Sequence, residues 1–224
     1  MADSDPLPLD FETLKAKQRS LRDGFPINLG LRVHRALSWA GRAEKEADDP
    51  DARFLFYWIA FNAAYAEDTG NGVPIGSRSL FNDYFGKILA HDPEHRIYRA
   101  IWGAFSNSIR ILLDNQYVFE PFWKHNNQVP GYEDWEDRFK KSKKRTNSAL
   151  MNKDTQTILS TLFDRMYVLR NQIMHGGATW NSSVNRSQVQ DGANILAFAV
   201  PHFVDIMMDN PELTWGMPYY PVVD

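Results

Sequence analysis

Residues 152–177 read NKDTQTILSTLFDRMYVLRNQIMHGG. Leu159, Leu162, Phe163, Met166, Leu169 and Ile173 recur at three and four residues, the spacing of one buried helix face. Asn152 or Asp154 supplies a start signal, and Gly176 or Gly177 a stop. The helix therefore ends on Arg170-Asn171-Gln172-Ile173-Met174-His175, which puts a fixed cation, an amide and a titratable imidazole near its last turn. On a regular 3.6-residue turn Asn171 and His175 lie on nearly the same face, so the amide can touch the imidazole directly. Arg170 sits well round the cylinder. It joins them only if the last turn distorts near the glycines or a second copy of the helix supplies the missing half, as in a symmetric dimer.

Working outward, the apolar spacing predicts further helices. Residues 10–22 form a short amphipathic one, and Leu29, Val33, Ala36, Leu37, Ala40, Ala43 and Ala47 trace a longer one. Asp48-Asp49-Pro50-Asp51 reads as a turn. Phe54 to Tyr65 is apolar on every side and is expected at the centre of a bundle, where Asn62 needs a hydrogen-bond partner. Gly70-Asn71-Gly72-Val73-Pro74 marks a loop, followed by a short helix near 77–90 and a single amphipathic stripe through Ile97, Ile101, Ala104, Phe105, Ser108 and Leu112. Residues 115–133 read as an irregular connection with a turn of helix. The last long helix begins near Asn185, with Asn185 and Gln188 as a capping box, and Pro201 is expected to kink it. No alternation is long enough for a sheet, so the chain is expected to be all-α, with one domain over 1–224 and an extended tail over 209–224.

Composition agrees. A chain of 224 residues with 43% hydrophobic and 13% aromatic residues is that of a folded protein with a proper core. Having no cysteine, it can build neither disulfides nor thiolate metal sites. Met1-Ala2-Asp3-Ser4-Asp5-Pro6 has no basic region leading into an apolar core, and no run approaches a membrane span, so a soluble, cytoplasmic protein without membrane association is expected. His91 and His95 are spaced by four, but Asp92-Pro93 separates them, so no metal is expected there. Trp39, Trp58 and Trp102 fall within helical patterns and read as core or interface anchors.

Arg170-Asn171-x-x-x-His175 at a helix end resembles the signature of the HEPN superfamily of all-helical domains. The Gly176-Gly177-Ala178-Thr179-Trp180-Asn181 loop, the helix start Asn185-Arg186-x-Gln188-Val189-x-Asp191-Gly192 and the upstream Phe56-Tyr57-Trp58-Ile59-Ala60-Phe61-Asn62-Ala63 resemble its Apea-like branch. The likeness covers roughly residues 29–208. It implies a HEPN-like up-and-down helical bundle with extra helices, and a homodimer whose two motifs meet. It also implies metal-independent cleavage of RNA, without a cofactor. Arg170 would then hold the scissile phosphate, His175 would move protons for attack by the ribose 2′-hydroxyl, and Asn171 would orient the imidazole or the phosphate. In that setting the protein is a toxin or antiviral-defence effector silenced by an antitoxin or other regulatory protein. The other reading is a non-catalytic module that binds RNA, a nucleotide or a protein. The two readings differ in whether Arg170 and His175 face an open polar cleft or are engaged in caps and salt bridges.

Arg138-Phe139-Lys140-Lys141-Ser142-Lys143-Lys144-Arg145 holds six cations in eight residues, on a chain of net charge −3. Such concentration suits contact with RNA, and Lys140, Lys141, Lys143, Lys144 and Arg145 are candidates for it. Alternatively, Glu133, Asp134, Glu136 and Asp137 just upstream neutralise the run. Residues 115–150 read as an insertion between core helices. Trp180 is either a base-stacking ring or a lid packed on the helix end. Arg165 reads as an ordinary surface or interface cation, and Asp191 as a charge favouring the first turns of its own helix.

Overall fold

The strongest local signals set the helix ends. Asp154 accepts from the Thr157 amide at 3.0 Å and starts the motif helix; Asp49 accepts from the Asp51 and Ala52 amides, with Pro50 in the first turn, and starts the apolar one. The computed structural model describes residues 9–67 and 78–222. In chain order its helices are α1 (Phe11–Leu21), α2 (Ile27–Glu44), α3 (Pro50–Tyr65), α4 (Arg78–Ala90), α5 (Arg96–Trp102), α6 (Ser106–Leu113), α7 (Glu120–Asn126), α8 (Trp135–Met151), α9 (Thr155–Met174) and α10 (Arg186–Asp209). The fold is all-α. Among the described residues the one trace of sheet pairing is an isolated bridge between Glu67 and Pro218.

As its sequence predicts, α3 is central: none of its residues is exposed. It packs most extensively on α2 and α10, while α9 packs on α4 and α8. Phe61 stands where these layers meet, against Phe163 of α9 at 4.5 Å, Phe85 of α4 at 6.1 Å and Phe203 of α10 at 6.3 Å. Gly192 lets α10 come this close, since a Cβ there would lie 2.8 Å from the buried Phe54 ring. The core from Leu14 to Trp215 is continuous.

Three readings of the sequence need correction. The stripe over 97–112 is two helices, because Gly103 (φ −105°, ψ −94°) leaves helical geometry at the end of α5. Residues 115–133 hold more structure than a single turn: a 3₁₀ turn at Gln116–Val118 and α7, started by Pro121. Asn185 makes no side-chain cap, so the capping box does not form; Pro201 lies inside α10, which continues on both sides of it. Trp39 is partly exposed against Phe56, whereas Trp58 is buried and Trp102 donates to Thr155 Oγ1 at 2.9 Å. The buried Oδ1 of Asn62 has no hydrogen-bond partner among the described residues. The loop expected at Gly70–Pro74 lies outside the described residues. No helix among those described is long and apolar enough to cross a membrane.

After α10 the chain is strapped across α2. Trp215 is buried and donates to the Asn210 carbonyl, and the fully buried Arg32 of α2 donates to the carbonyls of Gly216 and Met217 as well as to Ala63 and Ala64 at the end of α3.

His202 on α10 is buried, stacked on Phe198, with Nδ1 donating to the Phe198 carbonyl at 2.8 Å. Burial pushes its pKa down, reinforced by Arg96 and opposed by that hydrogen bond and by Asp205 and Asp92. Above pH 6.5 the ring is neutral in both folded and unfolded chains. Below it the unfolded chain takes up a proton that the native state resists, so stability falls as pH falls. Urea titrations between pH 7 and 5.5 should show a loss of up to about 1.4 kcal/mol per pH unit from this residue. His202→Gln should flatten that slope, and an unchanged slope would remove His202 as its source.

Candidate functional site

The motif occupies the last turn of α9, whose direction is fixed by Leu159, Leu162, Phe163, Met166 and Leu169 buried in the core. His175 is the C-cap. Gly176, at φ +72°, follows in the left-handed conformation that glycine adopts without a Cβ penalty, and the amides of Gly176 and Gly177 close the turn on the carbonyls of Ile173 (3.3 Å) and Gln172 (2.7 Å). This Schellman-type ending turns the chain sharply away and leaves His175 exposed.

Arg170 and Asn171 come together within one chain: Arg170 Nη1 donates to Asn171 Oδ1 at 2.9 Å, a charge-assisted bond. The imidazole is not part of it. The direct amide–imidazole contact that the spacing allows is absent because the guanidinium occupies the carboxamide oxygen and because His175 (φ −99°, ψ 14°) has left helical geometry. Asn171 is joined to His175 only through the backbone, His175 N–H donating to the Asn171 carbonyl at 3.0 Å. Among the described residues the His175 ring has no hydrogen-bond partner, and Arg170 forms no salt bridge. Neither is consumed by a cap or an ion pair. Four surface grooves among the described residues, of about 390 to 600 Å³, are lined without Arg170, Asn171 or His175, and the motif stands at an exposed helix end.

Two flanking devices fix this end. On one side Gln172 Nε2 and Trp123 Nε1 both donate to the Tyr117 carbonyl, at 2.5 and 2.7 Å, which holds the segment from the 3₁₀ turn through α7 beside the motif. Met174 (53% exposed), Tyr117 and Trp123 leave apolar surface there. On the other side the loop after Gly177 is pinned to the start of α3. Arg186 donates to Asp51 Oδ2 at 2.5 Å and to Asn181 Oδ1 at 3.0 Å, the Asn181 amide also donates to Asp51, and Trp180 Nε1 donates to Asp49 Oδ2 at 3.0 Å. Burial pushes the Asp49 carboxyl up, but donation from Ala52, Trp180 and Asp51 and the nearby Arg186 outweigh it and hold its pKa below the ordinary range. Trp180 is thus tethered by its N–H with its ring 75% exposed, not packed as a lid on α9.

Arg165 is not a surface cation. It is 4% exposed, with its guanidinium 4.5 Å from the Phe119 ring centroid and 5.6 Å from that of Phe139, and it donates to Ser142 at 3.0 Å. It pins α8 to α9. Asp191 accepts from Ser108 of α6 at 2.9 Å, tying α10 to α6. His91 follows the end of α4 and His95 is the N-cap of α5, so the two lie on different elements.

The basic run lies wholly within α8, and ion pairing divides it. Arg138 pairs with Asp134 at 2.8 Å, Lys140 with Asp137 at 3.4 Å and Lys143 with Asp114. Lys141, Lys144 and Arg145 are exposed and have no carboxylate partner among the described residues. The upstream acids therefore neutralise only part of the run, and Asp114, which sequence reasoning did not single out, neutralises Lys143 from the end of α6.

Sequence reasoning also missed Asp51 and the pairing of Arg186 with it. Asp51 stood in a turn signal and Arg186 in a helix start, and only the long return of α10 to α3 brings them together. Comparison of the chain with models of protein families, with curated proteins and with solved structures gives no match.

Proposed function

We propose that this chain is a HEPN-type, metal-independent endoribonuclease that acts as a homodimer. The observation that carries the reading is a free, exposed His175 imidazole one turn from an Arg170–Asn171 pair whose guanidinium has no carboxylate partner, at a helix end fixed on both sides. A lone copy leaves that end open, and a symmetry-related copy docked on Met174, Tyr117 and Trp123 would supply the second wall and a second pair of motifs. The helix macrodipole places partial negative charge at this end, so a phosphate is held there by the guanidinium rather than by the helix.

In the proposed reaction one imidazole takes the proton of the ribose 2′-hydroxyl, and that oxygen attacks the adjacent phosphorus. The P–O5′ bond breaks, and the departing 5′-oxygen receives a proton from the other copy's imidazole. Arg170 stabilises the added negative charge of the pentacoordinate transition state, and Asn171 fixes the guanidinium. Products are a 2′,3′-cyclic phosphate and a 5′-hydroxyl. In the cell such an activity belongs to a toxin or antiviral-defence effector restrained by a partner protein.

The test is incubation of a mixed RNA pool with the purified chain in excess EDTA, alongside Arg170→Ala, with chemical analysis of the new ends. Cyclic-phosphate ends from the unsubstituted chain alone, and no cleavage where the scissile ribose is 2′-deoxy, are expected. Ends bearing 3′-hydroxyl, or equal cleavage by Arg170→Ala, would overturn the assignment.

A further inference from the structure

The unpaired cations of α8 are not scattered. Lys141, Lys144 and Arg145 stand at i, i+3 and i+4, and the same stripe continues through Ser148 to Asn152, so all five residues share one face. They line an open groove of about 470 Å³, closed on its far side by Asp154 and Thr157 at the start of α9. The one acid in the groove is already engaged, since Asp154 Oδ1 accepts from the Thr157 amide. The groove therefore also opens on the positive end of the α9 dipole, opposite the end that carries Arg170 and His175.

From this arrangement we infer that the α8–α9 groove is a track for the backbone of single-stranded RNA whose cleavage site is at the other end of α9. The inference rests on RNA being the substrate. Lys141 stands about one turn, ~5 Å, before the side-by-side pair Lys144 and Arg145, a spacing on the order of that between successive phosphates of an extended strand. The groove is open and lined by flexible cations, which suits sequence-tolerant backbone contact rather than base readout. Ser148 and Asn152 continue the stripe with neutral groups that both donate and accept, the chemistry that matches a ribose 2′-hydroxyl. Lys140 and Lys143 sit off this stripe, and Arg138, one turn before Lys141 on the same face, is held by Asp134 and the Gly131 carbonyl, so none of the three takes part. The track thus needs three of the six charges in the run.

Two triple variants of equal charge separate the cations without a carboxylate partner from the paired ones: Lys141→Ala/Lys144→Ala/Arg145→Ala, and Arg138→Ala/Lys140→Ala/Lys143→Ala. Both are made in the full chain carrying His175→Ala, so that the probe survives. The probe is a fluorescently labelled 20-nucleotide oligouridine titrated at several salt concentrations. The stripe triple should weaken binding about tenfold or more at low salt and reduce the slope of log K against log salt by about 2, the loss expected for three phosphate contacts on a single strand. The other triple should change both little. Equal losses in the two triples overturn the track, as does a stripe triple that still binds like its parent. A duplex of the same length bound more tightly than the single strand would also overturn it. Cleavage of a dinucleotide, too short to reach the groove, reads the catalytic assignment separately. A failure there leaves the binding result standing, and a failed track leaves the catalytic result standing.

Discussion

Replacing His175 with alanine should slow RNA cleavage by about 10²–10⁴-fold, the range that a positioned acid–base group contributes, while the unfolding midpoint stays almost where it was. The two halves of this result follow from the same geometry. The turn at the end of α9 is closed by the backbone amides of His175, Gly176 and Gly177, not by the imidazole, and the ring is exposed without a hydrogen-bond partner among the described residues. Removing it deletes no packing and orphans no buried group. Lost activity therefore reports lost chemistry. Asn171→Ala should behave differently, because it frees Arg170 Nη1 and should cost less in rate than removal of the imidazole. Rates are measured at saturating RNA, with thermal unfolding as the control. A His175→Ala chain that cleaves within about threefold of its parent would end the assignment of His175 to proton transfer.

The second large effect is on stability. Arg32→Met should destabilise the fold by about 3–5 kcal/mol, a substantial part of the 5–15 kcal/mol typical of a domain. Methionine fills most of the space, so the loss comes from the carbonyls rather than from a cavity. Arg32 donates to Gly216 at 3.2 Å, Met217 at 2.9 Å, Ala64 at 3.0 Å and Ala63 at 3.4 Å, and those acceptors lose a charged donor where little water reaches. Burial lowers the pKa of Arg32 while Tyr84 and Glu67 offset part of that, yet a guanidinium stays protonated. Arg35 is the internal control. It reaches the same tail at the Tyr220 carbonyl, but this contact is exposed, so Arg35→Met should cost under about 1 kcal/mol. Urea unfolding measures both, and proteolysis within 211–217 should accelerate for Arg32→Met only. Equal midpoints for the two variants would show that the strap contributes nothing special.

The elements that were legible in the sequence share one property: their signals are local and redundant. The motif helix has six apolar residues in register, an acidic cap and two glycines, and α3 has no polar face from Phe54 to Tyr65, although its true start at Asp49-Pro50 read only as a turn. The break at Gly103 was not legible, because the stripe from Ile97 to Leu112 continues across it while the backbone turns over 103–105. The segment 115–133 hid its helix because α7 draws on tertiary rings, Phe122 against Tyr117 and Trp135, rather than on an apolar stripe of its own. For the site, residue identity and position along α9 were readable, but the side-chain pairing was not. Spacing alone favours Asn171 with His175, whereas the charged neighbour Arg170 captures the amide. Arg165 reads as exposed to any pattern argument, since its two aromatic partners lie 46 and 26 residues upstream.

The strap through Arg32 also bears on how the chain is made. Its partners at 216 and 217 lie 184 and 185 residues later in the sequence. At ~5–20 residues per second, synthesis takes about 10–40 s to reach them. An α2–α3 pair formed within that interval would hold its guanidinium with the acceptors at 216 and 217 still to come, so drying of Arg32 can be completed only after the tail is made.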